Sequence, residues 1–186
     1  IAGSSMVKVG SFNFTAANSD FTVQEVKVKI GNQAATSVGS VVLKYKDKTG
    51  VVQSVTQALT LSSGVQPHAT ATYTGLTFFI PMNTTKALDV YVSTPTVASG
   101  ATSGQAITAT LDGNEGFKAS DSAGNATTTM SASPGDVVSS DTAGRGTMYV
   151  RKSIPTLSAV ALDSATLTAG SDQVLGRVKV TADAAG

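Results

Sequence analysis

Three oxygen-bearing side chains fall within four residues at Asp112-Gly113-Asn114-Glu115-Gly116, beside two glycines. A calcium ion takes its ligands from carboxylates, amides and carbonyls on a turning backbone. Asp112, Asn114 and Glu115 are therefore the candidate metal ligands, with Asp121 and Asn125 in the next loop. The Asp-x-Asp-x-Asp-Gly spacing of a dedicated calcium loop is missing. The competing reading is a turn whose acids bond their own backbone.

Other chemistry has less to work with. A Ser-His-Asp arrangement needs a positioned histidine. His68 is the only one, in Gln66-Pro67-His68-Ala69 at a strand entrance, with no Gly-x-Ser-x-Gly elbow in the chain. Asp47, Asp112, Glu115, Asp121, Asp136 and Asp141 are scattered through turns instead of paired for acid–base work. Phosphate-loop and dinucleotide fingerprints are absent. No catalytic residue and no cofactor are expected, calcium apart. Asn13, Asn83 and Asn125 head glycosylation sequons; Asn13 lies within a predicted strand, which leaves Asn83 and Asn125 as the better loop sites. Most of the six Phe and four Tyr fall on core phases; Tyr91 and Tyr45 are read on the polar face, where a sugar platform would want them.

The elements that must hold these residues are strands. The 186 residues include 48 Ser and Thr against 13 basic and 12 acidic residues. Thr and Val favour pleated, half-buried surfaces, and Gly and Ser mark turns. The net charge is +1 with signs interspersed, and the one dense basic run, Lys44 to Thr49, straddles a predicted turn. Such a run reads as a solvated hairpin end, not a nucleic-acid groove. No apolar run approaches the about 20 residues of a membrane-spanning helix. There is no Cys, hence no disulfide. This suits a prokaryotic surface protein better than a secreted eukaryotic domain. Ile1 is not a natural start, which leaves room for a leader removed upstream.

Period-2 segments predict strands over Val7–Ala16, Phe21–Ile30, Ser40–Lys46, Val51–Leu61, Ala69–Ile80, Ala87–Thr94, Gln105–Leu111 and Thr147–Ser153. Phase breaks predict bulges at Gly10–Ser11 and Gln24–Glu25. Asp47 to Gly50 reads as a hairpin loop. Residues 120–146 read as a long loop, a weak edge strand or an insert. Strands of this number and spacing predict an all-β, immunoglobulin-like antiparallel β-sandwich. Phe12, Phe14, Val26, Val28, Leu43, Phe78, Leu88 and Val90 are its expected core.

The chain also echoes itself. Leu167–Gly186 aligns with Ile1–Asp20 at an offset of 166: Ser171, Gly176, Thr181 and Ala182 fall on Ser5, Gly10, Thr15 and Ala16, and Leu175, Val178 and Val180 fall on Val9, Phe12 and Phe14. A fixed period is the signature of tandem modules. The expected organisation is a sandwich module over 1–152, then a junction at Ile154-Pro155-Thr156 and the first strand or strands of a second module over 153–186. Ala184-Ala185-Gly186 reads as a mid-module turn, so the polypeptide is expected to continue. The backbone of Leu167–Gly186 has no complete sheet of its own and must find a partner.

The closing strand with its boundary (RKSIPTLSAVAL), the Gly-Ser strand (TLTAGSDQ) and the apolar strand ending Thr-Ala-Asp-Ala-Ala-Gly resemble repeat junctions of large tandem-repeat, immunoglobulin-like cell-surface proteins of bacteria. The resemblance covers Thr147–Gly186 and carries no site residue across. It implies an extracellular, structural, repetitive protein. The expectation is thus a non-catalytic module of a prokaryotic surface layer, stalk or filament. Its partners would be copies of itself or adjacent repeats, with no nucleic acid and no transmembrane segment. The alternative is an adhesin or carbohydrate-binding module contacting cell-surface glycans through the loops between Val97 and Gly146. An accessory domain of an enzyme is the third reading.

Overall fold

The computed structural model describes residues 1–61, 69–112, 115–128, 147–162, 166, 169, 170 and 174–182. In chain order the strands are β1 (Val7–Thr15), β2 (Phe21–Ile30), β3 (Ser40–Lys46), β4 (Val52–Gln57), β5 (Thr60–Leu61), β6 (Ala69–Tyr73), β7 (Phe78–Ile80), β8 (Thr85–Ser93), β9 (Ala106–Ile107), β10 (Ala109–Leu111), β11 (Lys118–Asp121), β12 (Ala126–Thr127), β13 (Met148–Tyr149), β14 (Thr156–Val160) and β15 (Arg177–Thr181). Every strand pair is antiparallel. Helical structure among the described residues is limited to 3-10 turns at Asn32–Ser37 and Val97–Ser99. The fold is all-β.

Two sheets enclose one core. The first has the order β1-β8-β3-β4. The second is built around β2. Its first half pairs with β7 and β11, and its second half with β6 and β10; β5 and β12 extend the sheet. The apolar phases of both sheets face inward, which is why period 2 is so legible here. Phe12, Val26, Val28, Leu43, Phe78, Leu88 and Val90 are buried as expected, while Phe14 is half-buried. Phe14 meets Phe78 edge-on at 5.5 Å and stacks on Phe117 at 6.3 Å, so it sits at the margin of the core.

The irregularities have local causes. On β2, Lys118 and Ala119 oppose Glu25 and Val23, so Gln24 is the extra residue of a bulge, and its carbonyl accepts from Leu76 N instead. That bulge switches the buried phase from Val23 to Val26, Val28 and Ile30. The expected single strand over Ala69–Ile80 is consequently two, β6 and β7, parted around Gly75 at φ +69°. The β1 bulge falls at Val9, one residue before its expected place. Tyr45 corrects another expectation. It lies in the core phase of β3 with Val41 and Leu43, buried, its ring 5.6 Å from Phe78 and its hydroxyl accepting from Thr77 N. The expected closing strand is only β13, paired with β9 at the sandwich margin.

Candidate functional site: an uncovered apolar ribbon

The acidic loop is held by lysines. Asp112 is buried at 5% exposure. Its Oδ2 lies 2.7 Å from Lys29 Nζ and 3.8 Å from Lys27 Nζ, and its Oδ1 accepts from Glu115 N. Lys27 also donates to Glu115 Oε2 at 3.0 Å. The lysines alternate out of the β2 ladder at Lys27 and Lys29, which places both ammoniums over the loop. A cation entering here would have to displace two ammoniums already in contact with the carboxylates. Asn114, the third candidate ligand, lies outside the described residues, as do His68, Asp136 and Asp141. Among the described residues no group of three or more metal-ligating side chains forms.

The remaining turn acids bond their own loops. Asp47 Oδ1 accepts from Thr49 N, Thr49 Oγ1 and Val51 N, and Oδ2 accepts from Gln53 Nε2. Asp121 accepts from Ala123 N, Asn125 N and Asn125 Nδ2. These bonds, led by Thr49 and Gln53 in one case and Asn125 in the other, hold both carboxyls below the ordinary 3.8. Of the sequon residues, Asn13, Asn83 and Asn125 are all exposed, and Asn83 sits at φ +57° in the turn before β8.

The apolar surface that lacks a cover is elsewhere. β14 and β15 pair as Thr156↔Thr181, Leu157↔Val180, Ser158↔Lys179, Ala159↔Val178 and Val160↔Arg177. Opposed residues of an antiparallel pair share a face. One face is therefore Leu157, Ala159, Val178 and Val180; the other carries Thr, Ser, Lys and Arg with Val160. Every residue of both strands is exposed. Leu157, Val178 and Val180 are 69%, 68% and 64% exposed, and Leu175 beside them is 75% exposed. Along Arg177–Thr181 one edge of this backbone finds its partner in β14. Among the described residues, nothing buries the side-chain face. The echo of β1 sets Val178 and Val180 in a core phase; among the described residues no second sheet meets that face.

No protein-family model matches the chain, and neither a curated protein nor a solved structure does. No helix among the described residues is long and apolar enough to cross a membrane.

Proposed function

We propose that this chain is a non-catalytic structural module of an extracellular prokaryotic surface polymer, a surface layer, stalk or filament, of immunoglobulin-like type. The observation that carries the reading is the open apolar face of the β14–β15 ribbon. A two-stranded ribbon is marginal in water on its own, and a clean apolar face of this kind marks an interface. Val178 and Val180 stand in the phase of Phe12 and Phe14 at the offset of 166. In β1 that phase packs with Leu88 across the ladder, with Phe78 of the other sheet and with Phe117 just before β11. A neighbouring module of the same kind, with the same inward aromatics, has the chemistry to cover the ribbon. Hydrogen-bonded turns, ion-paired loop acids and a surface rich in Ser and Thr suit a persistent scaffold.

The chain has no cysteine, so Val178→Cys gives a single thiol for an environment-sensitive fluorophore. The reading expects blue-shifted emission as protein concentration rises, with no such shift from a label at exposed Thr49 in the β3–β4 hairpin loop. Emission independent of concentration at both positions would contradict it.

A further inference from the structure

The ladder between β3 and β8 stops before the strands do. It runs from Ser40↔Ser93 to Lys44↔Asp89, yet β3 continues to Lys46 and β8 reaches back to Thr85. Both strands stay paired on their far edges in this stretch: Tyr45 and Lys46 to Gln53 and Val52 of β4, and Ala87, Lys86 and Thr85 to Asn13, Phe14 and Thr15 of β1. Between them the strands part, and a cleft of about 400 Å³ opens. Its volume lies in the range of small-molecule sites, roughly 300–1,000 Å³. Tyr45 accounts for the parting on one side, since its ring and hydroxyl tie the end of β3 toward Phe78 of β7 and Thr77 just before it.

The lining is cationic. Lys44, Lys46 and Lys86 all border the cleft, and none is within ion-pair distance of a carboxylate among the described residues. The lining carboxylate, Asp89, is already engaged: its Oδ1 takes Lys8 Nζ at 2.8 Å and Ser11 Oγ at 2.6 Å. Tyr91 adds a half-exposed ring with Lys44 Nζ 4.9 Å from its centroid. Beyond Lys44↔Asp89 the facing edges of β3 and β8 are not paired to each other, and backbone groups left by a ladder need other hydrogen-bonding partners.

We propose that this cleft binds an acidic saccharide, with a sugar carboxylate held by Lys46 and Lys86 and hydroxyls meeting the parted backbone edges beside Tyr91. Charge alone would suit any anion. Ammonium groups, backbone donors and acceptors, and an aromatic ring converging in one small cleft suit a carboxylated pyranose. A nucleic acid is disfavoured, because three lysines in one cleft of a chain with net charge +1 give no stripe along which phosphates could run. The described residues that line the cleft all belong to strands of the sandwich, none to the stretch between Val97 and Gly146, and the proposal does not depend on association through the ribbon.

The test is a titration of the ¹⁵N-labelled full chain with trigalacturonate, its methyl ester and inorganic phosphate. The expected result is saturable shifts at the amides of residues 44–46 and 85–91. The uncharged ester should bind at least about tenfold more weakly, and about 0.5 M salt should weaken the acid form as well. Lys46→Gln with Lys86→Gln should weaken binding by about tenfold while leaving the rest of the spectrum in place. Equal binding of the ester, equal binding of phosphate, shifts confined to another surface, or no saturable shift up to about 10 mM sugar would overturn it. The ester and salt comparisons use the unaltered chain, so they decide the matter even if the double variant fails to fold.

Discussion

Tyr73 is fully buried, and its hydroxyl donates to the Val41 carbonyl at 2.7 Å, crossing from the β2-centred sheet to the first. Removing one such bond costs about 1 kcal/mol, so Tyr73→Phe should lower the unfolding free energy by about that amount in urea titrations. Burial also raises this phenol above its ordinary 10.0. Below that value the phenol is protonated in folded and unfolded chains alike, and the stability it brings is complete. As pH rises past 10.0 the unfolded chain loses the proton first, and stability falls. Tyr73→Phe should flatten this alkaline loss; an unchanged pH profile would contradict the assignment. The turn carboxyls act with the opposite sign. Asp47 and Asp121 are held below 3.8 in the folded state, so their contribution is present above that value and is lost as pH falls through the lowered folded values. Thermal melts of Asp47→Asn and Asp121→Asn against the unaltered chain should show a shallower acid limb in the variants.

At the scale of elements, the acidic loop after β10 shows what the candidate ligands do. Asp112 reaches Lys29 and Lys27 of β2, and Gly116 closes the loop at φ +68°, where an added Cβ would stand 2.8 Å from Lys27 Cβ. A side chain at that φ is strained by roughly 1–3 kcal/mol before the clash is counted, so Gly116→Ala should depress the melting temperature. Asp112→Ala leaves Lys29 without its 2.7 Å partner and should cost about 2 kcal/mol. With lysines in place around the carboxylates, a calcium chelator should leave the melting temperature unchanged. A drop reversed by added calcium would instead make Asp112, Asn114 and Glu115 ligands. Much of this level was legible in sequence. The Gln24–Glu25 phase break gave the β2 bulge, and Asp47-Lys48-Thr49-Gly50 gave the hairpin loop. The split of Ala69–Ile80 was not legible, because it answers a bulge on the neighbouring strand. Tyr45 was misread because its polar tip hid a core position, and the Lys44, Lys46 and Lys86 cleft depends on where a ladder stops, which no local pattern records.

At the scale of the molecule, the chain enters and leaves the sandwich at one pole. Ala2 N donates to Arg151 O at 2.8 Å, Gly3 N to Pro95 O, and Val150 N to Gln105 O. In the proposed polymer, modules joined through such a pole would be set side by side around the junction, a layout that suits a layer better than an end-to-end rod. The echo of residues 1–20 in 167–186 gave the idea of repetition. The structure adds which apolar face of the ribbon is exposed, that of Leu157, Ala159, Val178 and Val180. Burying Leu157, Val178 and Val180 would contribute about 1.5–3 kcal/mol each if fully covered, to be set against an association cost of about 4–15 kcal/mol. Sedimentation velocity over a range of concentrations, on the full chain and on Val178→Asp, tests this most directly. The account predicts concentration-dependent growth of the sedimentation coefficient for the chain. It predicts a monomer with an unchanged sandwich melting transition for Val178→Asp. A chain that stays monomeric at every concentration, while the β14–β15 amides remain protected from exchange, would contradict it.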